Sequence, residues 1–363
     1  MIIYYIKKIL LTSINLLNGA STWLIFSFIL AGLLHNILAP DKFQKMLGNK
    51  KISSLIKATL SGMLLPICSC GVIPLGLSLY YSGAYLGPTL AFIASTPIIN
   101  PIAVFLSYGL LGPKIATIYL VVGFTVPLII GVIGNKLGGP ELKAPGVEEQ
   151  IQKRMEEIEL EEDQTSIFEK IKMGILWSFS DVAVAVSKYV IPGMVLAGIL
   201  LVLVPQEFIQ QYLGSPNAVS ILGIAVIGCI MYVCAVGHIP FIAALVASGA
   251  APGVAITFLM AGTASNLPEL ISIGKLIGKR TVVIYTTTLI ALSFIVGYFT
   301  NIILPNFEPV ISFDRTQNTI KAANKFIFAA PEPMKYVCSL IMFVLFLKAM
   351  LPKVKKISKA ISA

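Results

Sequence analysis

The side chains able to do chemistry in this sequence are sparse, and most sit in apolar surroundings. Cys68 and Cys70 stand one residue apart in PICSCGVIP, with Gly71 permitting close backbone approach and Pro66 and Pro74 loosening a helix there. Soft thiolates select soft partners such as Cu(I), Zn(II) or a trivalent arsenic centre, so Cys68 and Cys70 are candidate metal ligands. Cys234 has a similar setting ahead of Gly237 and Pro240, and His238 follows it as a further ligand or proton carrier. The plainer reading makes the cysteines small packed hydrophobes and the histidine a satisfied core residue. Asn100 and Asn266 stand beside prolines (Pro97 and Pro101; Pro268), with Thr96 just before Pro97. An amide in hydrocarbon needs partners, so each asparagine either caps backbone freed at a helix break or contacts a solute. Glu269, in SNLPEL, is the one carboxylate inside an apolar block, where proton relay is the commonest role. The bland alternative pairs it at an interface with Lys275 or Arg280. Cys229 and Cys338 read as packing.

The elements that position these residues follow from composition. Hydrophobic residues make up 56% of 363, charged residues 12%, and the mean hydropathy is +0.88. That is far from a soluble globular balance. The expectation is an all-α polytopic membrane protein, with room for roughly eight to ten spans of about 20 residues. The net charge of +10 then bears on topology and anionic headgroups, not on nucleic acid. The expected location is the cell (cytoplasmic) membrane, multi-pass. No Walker-type phosphate loop, cleavable signal or C-terminal lipidation box is visible, so no ATP-driven pump and no cofactor is expected. Cysteines in apolar segments argue against a secreted disulfide framework.

In chain order, residues 1–19 read as an interfacial or spanning N-terminal helix. A first transmembrane repeat follows at 20–137, a charged cytoplasmic linker at 138–171, and a second repeat at 172–304. A loop at 305–335 precedes a last helix and basic tail at 336–363. The repeats align at one ungapped offset of 166 residues: Cys68 with Cys234, Gly71 with Gly237, Pro74 with Pro240, Gly83 with Gly249, Asn100 with Asn266, Tyr119 with Tyr285. Chance in apolar sequence matches Leu and Ile; it does not align Cys, Asn, Pro and Gly. Lysines crowd 41–57 but are missing from its counterpart 207–223, and the bias reverses at 109–114 against 275–280. Under the positive-inside rule the halves then have inverted topology, with broken or re-entrant helices at the centre. Breaks are expected at Gly71, Pro74, Pro97, Gly237, Pro240 and Pro268. Asp181 and Lys188 are placed at the start of a span.

PICSCGVIPL, the Ser-Gly spacer, AFIASTPIINPIAV and a second copy ending in GTASNLPEL resemble a prokaryotic predicted-permease family. That family includes organoarsenical (methylarsenite) efflux permeases and relatives proposed to export copper or zinc. The resemblance covers roughly residues 20–304. It implies secondary efflux of a thiophilic metal or metalloid, with Cys68 and Cys70 in the site. Cys70 is replaced by Val236 in the second copy, which excludes a symmetric four-thiolate site. On this reading Cys68, Cys70, Cys234, Asn100, Asn266 and Thr96 bind the solute, while Glu269 and His238 serve coupling. Two alternatives remain: a transporter of an ordinary metabolite with structural cysteines, and a non-transport scaffold or enzyme. The partners expected are a small inorganic or organometalloid solute and the bilayer.

Overall fold

In hydrocarbon a backbone must satisfy its own polar groups, and helices do so within one segment. The computed structural model describes residues 2–37, 46–65, 69–146, 167–203, 216–231, 235–247, 249–305 and 331–361. Every long element among them is helical. The first half holds α1 (Ile2–Ile37), α2 (Ile52–Leu64), α3 (Ser69–Tyr81), α4 (Leu86–Ile98), α5 (Pro101–Leu110) and α6 (Gly112–Leu137), closed by a 3-10 turn at Gly139–Leu142. After the linker come α7 (Ile167–Trp177), a π turn (Ser178–Val182) and α8 (Ala183–Leu203). Then follow α9 (Ala218–Ile230), α10 (Ala235–Ala247), α11 (Pro252–Thr263), α12 (Leu267–Leu276) and α13 (Lys279–Ile303). The last helix is α14 (Glu332–Ile361).

Five stretches are long and apolar enough to cross a bilayer: 3–33, 112–137, 171–196, 279–303 and 332–351. Two bent pairs, α4–α5 and α11–α12, raise the total to seven among the described residues, below the eight to ten expected. The shortfall has a simple cause. The blocks around 58–82 and 218–247 are each cut into two helices of 13 residues. Each is about 20 Å long, against a hydrocarbon core of roughly 30 Å.

Several boundaries differ from expectation. Residues 1–19 form no separate element, because α1 runs unbroken from Ile2 to Ile37. The second half starts at Ile167 rather than 172 and passes through the π turn, so Asp181 lies well inside a helical stretch, bonded by Ser180 Oγ at 3.0 Å. Gly71, Pro74, Gly237 and Pro240 are not helix breaks. All four lie within α3 or α10, which start after the breaks. A proline there costs one intrahelical N–H, and burial of the surrounding helix outweighs that loss.

The 166-residue offset is carried into geometry. Helices α2 and α9, and α3 and α10, have identical bounds after the shift. The bends are 43° and 44°. Two residues past the end of each of α3 and α10 stands a glycine at positive φ, Gly83 (99°) and Gly249 (96°). In each the residue after the glycine returns its N–H to a carbonyl five residues back, Ala84 to Leu79 and Ala250 to Leu245. This is the left-handed terminator that glycine accepts without strain. Gly87 N–H donates to Asn135 Oδ1 at 2.9 Å and Gly253 N–H to Asn301 Oδ1 at 2.6 Å, tying the start of each broken helix to the long helix behind it.

The halves interlock reciprocally: α3 packs on α12 and α10 on α5, while α4 meets α11 and α6 meets α13. The first helices of the two halves cross as well. A Cβ on Gly32 would lie 2.6 Å from Gly174 O, Ser178 Oγ donates to Phe28 O at 2.6 Å, and a Cβ on Gly198 would lie 2.2 Å from Ser13 Oγ. Positions 13, 28 and 32 of α1 thus meet 198, 178 and 174 in descending order. The two equivalent helices run antiparallel.

One end carries a polar latch between the halves. Glu141 Oε2 accepts from Thr281 N at 2.6 Å and from the Thr281 hydroxyl, capping α13. The Tyr80 hydroxyl holds the Glu141 carbonyl at 2.8 Å, and the Tyr81 hydroxyl donates to Leu276 O, at the end of α12, at 2.6 Å.

Candidate functional site at the paired helix breaks

The first broken helix stops at Ile98, two residues before Asn100, the second at Thr263, three before Asn266, and each restarts one residue after its asparagine. Asn100 precedes α5 and Asn266 precedes α12, both with extended backbone and a proline in the first turn. Proline suits that turn because its missing N–H is one that no intrahelical carbonyl would use. Asn100 Oδ1 accepts from Ala103 N at 2.8 Å, and Asn266 Oδ1 from Glu269 N at 2.9 Å. The two caps are therefore equivalent, and both are buried.

The other side of each break is braced as well. A helix end leaves its last carbonyls without donors. The Tyr119 hydroxyl donates to Ile98 O and the Tyr285 hydroxyl to Ala264 O, each from the long helix of its own half. Both tyrosines are wholly buried. Gly62 and Gly228 let α2 and α9 close on these ends. A Cβ on Gly62 would meet Ser95 Oγ at 2.3 Å, and one on Gly228 would meet Gly262 N at 3.2 Å.

The halves then diverge in chemistry. Glu269 stands where the first half has Ala103. It is 0% exposed, its Oε2 takes a 3.2 Å hydrogen bond from Asn266 Nδ2, and its Oε1 has no hydrogen-bond partner among the described residues. The interfacial pairing with Lys275 or Arg280 is not formed. The carboxyl faces inward instead, against the Asn266 amide, with the Cys229 thiol and Tyr285 hydroxyl within electrostatic reach. Cys229 Sγ lies 3.9 Å from Ala261 O, and Ser265 Oγ bonds Ala261 O at 2.7 Å and the Cys229 carbonyl at 3.4 Å. Cys229 thus belongs to the second break, which nothing in its own sequence surroundings signalled.

The remaining candidates divide. Thr96 is buried, with its hydroxyl spent on Phe92 O at 2.8 Å, so it stitches the last turn of α4. Pro97 lies inside α4, two residues before the break, and Pro268 opens α12 against Gly193 of α8, where an added Cβ would come within 2.6 Å of Pro268 Cα. His238 is half-buried on α10 with its ring 6.2 Å from that of Phe258. Cys68 and Cys234 lie outside the described residues, as does the side chain of Cys70. Among the described residues no three His, Cys, Asp or Glu side chains gather into a metal-binding group.

Comparison with known proteins gives a consistent picture. A family model described as "Predicted permease" matches residues 6–302. The chain is 27% identical over 334 residues to the UPF0718 protein MJ0584 of Methanocaldococcus jannaschii, covering 77% of this chain and 91% of that one. It is 24% identical over 253 residues to the UPF0718 protein YraQ of Escherichia coli, covering 69% and 68%. To the UPF0718 protein YcgR of Bacillus subtilis it is 30% identical over 122 residues, 33% of this chain and 42% of that one. No solved structure matches significantly.

Proposed function

The chain belongs to that family of predicted permeases, and from this premise we propose a secondary permease that exports a soft thiophilic species, a trivalent organoarsenical or a heavy-metal ion. The observation that carries the reading is the pairing of two buried, asparagine-capped helix breaks across a reciprocal interface between the halves. Broken helices in hydrocarbon are tolerated where they line a site, and their N-termini turn positive dipole ends toward an electron-rich ligand.

The thiophilic cargo rests on sequence position. Cys68 leads into α3, Cys70 is the second residue of that helix, and Cys234 leads into α10. Those helices cross over to pack on the post-break helix of the opposite half. Three sulfurs from two halves would supply the soft donor set. The Asn100 and Asn266 caps fix the helix starts at the two breaks. The antiparallel crossing of α1 on α7–α8 supports an inverted arrangement of the halves, in which one half's outward face is the other's inward face.

The test is efflux of methylarsenite from cells expressing the full chain in a sensitised background. Cys68→Ser and Cys234→Ser are each expected to abolish resistance at unchanged membrane abundance. Resistance surviving both substitutions would remove the thiolate site. Labelling of single cysteines placed at 41–57 and 206–217 is expected to find opposite sides of the membrane, and labelling from one side would discard the inverted arrangement.

A further inference from the structure

We propose that Glu269 is the proton site of the transport cycle, a neutral carboxylic acid in the closed break that releases its proton when the break opens. The proposal rests on the permease reading and names what drives it. Glu269 is fully buried, and its two oxygens are treated unequally: Oε2 is held by the Asn266 amide, and Oε1 has no hydrogen-bond partner among the described residues. An ionised carboxylate in hydrocarbon requires a cation or several donors. Neither is present.

The facing groups on the described elements around it agree. From α9 the Cys229 thiol points to Ala261 O, and from α13 the Tyr285 hydroxyl is spent on Ala264 O, so neither hydrogen serves the carboxyl. From α3 the Tyr80 and Tyr81 hydroxyls are spent on Glu141 O and Leu276 O. On α8 the Lys188 ammonium sits over the Tyr189 ring, and on α12 itself Lys275 is exposed. No cationic side chain among the described residues pairs with Glu269.

A glutamate three residues after a helix cap ordinarily completes a capping box at a wet helix end. Here the cap forms without it, since Asn100 makes the same bond to Ala103, which has no carboxyl. The acid is therefore surplus to the fold of the break. Being confined to one half, it offers one proton per cycle. Uptake on one side and release on the other would exchange a proton for solute.

The experiment uses the full chain reconstituted in phosphatidylethanolamine/phosphatidylglycerol vesicles. Infrared difference spectra across a pH titration should show the carbonyl stretch of a protonated carboxylic acid in the wild type and lose it in Glu269→Gln. Methylarsenite is the transport probe. Glu269→Gln should lose accumulation driven by an imposed pH difference, down to the level of protein-free vesicles, while exchange of labelled for unlabelled solute continues. Glu269→Ala, which copies Ala103, serves if the glutamine variant fails to fold. Absence of the band at neutral pH, its collapse on adding sodium at fixed pH, or pH-driven accumulation by Glu269→Gln would each overturn the proposal. A wild type that moves no methylarsenite would remove the thiophilic cargo instead, and the infrared band would still decide the proton site.

Discussion

Tyr119→Phe and Tyr285→Phe remove one hydroxyl each from opposite halves and leave the rings in place. Each hydroxyl serves a carbonyl at the end of a broken helix, Ile98 O or Ala264 O, and each tyrosine is 0% exposed. Interhelical hydrogen bonds in membrane proteins average about 0.6 kcal/mol and reach about 1.7, because the reference state in the membrane finds substitutes. Stranding a buried carbonyl with no alternative donor costs about 1–3 kcal/mol. The chain has already stopped being a helix at these carbonyls, so no next-turn N–H can replace the hydroxyl. We therefore expect about 1.5 kcal/mol per site, at the upper end of the interhelical range. The two sites share no partner, so the double variant should lose about 3 kcal/mol. Equilibrium unfolding of the purified chain in mixed micelles titrated with sodium dodecyl sulfate measures this. Both single variants lying within about 0.5 kcal/mol of wild type would refute the reasoning. It would show that water reaches these carbonyls and that the breaks are wet in the closed state.

Asn266→Ala should destabilise the protein more than Asn100→Ala in the same assay. Each loses a cap worth about 1 kcal/mol, but Asn266 also releases the Glu269 carboxyl, at roughly 1 kcal/mol more. Gly253→Ala should fold poorly, because its Cβ would fall 2.0 Å from Gly297 O, backbone that cannot swing away. Gly87→Ala meets Gly131 O at 2.4 Å and should fail similarly, both read as loss of the monodisperse peak in size-exclusion chromatography. Glu141→Ala strips both the N–H and hydroxyl acceptor from the start of α13 and should cost about 2 kcal/mol of unfolding free energy.

Which of these features the sequence makes legible follows from the range of the interaction. Asn100-Pro101 and Asn266-Leu-Pro268 declare helix starts because a cap and a first-turn proline act within three residues. Tyr119 and Tyr285 align at the repeat offset, yet their role depends on carbonyls 21 residues away, which spacing alone does not identify. Asn135 and Asn301 obey the same offset and reach 48 residues back to Gly87 and Gly253. The offset was the only signal available for them. Gly71, Pro74, Gly237 and Pro240 mislead in the opposite sense. Gly and Pro punctuate exposed helices, but in α3 and α10 they sit inside helices that tertiary packing holds together. Glu141 looks like the first acid of a charged linker, and only the fold brings Thr281 to it.

The latch built on Glu141 has a thermodynamic consequence. Its cross-half contacts use Tyr81, Glu141, Leu276 and Thr281, whose positions after the 166-residue shift are Ala247, Phe307, Leu110 and Ile115. Each latch side chain has an apolar counterpart, so those side chains cannot form a matching polar latch at the opposite end. Two equal halves rocking about a shared axis would populate their two access states equally. Three hydrogen bonds present in one state and not the other, at about 1 kcal/mol each, tilt that balance by roughly 100-fold. On the proposed permease reading the protein would then rest closed at the Glu141 end, and opening it would cost those three bonds.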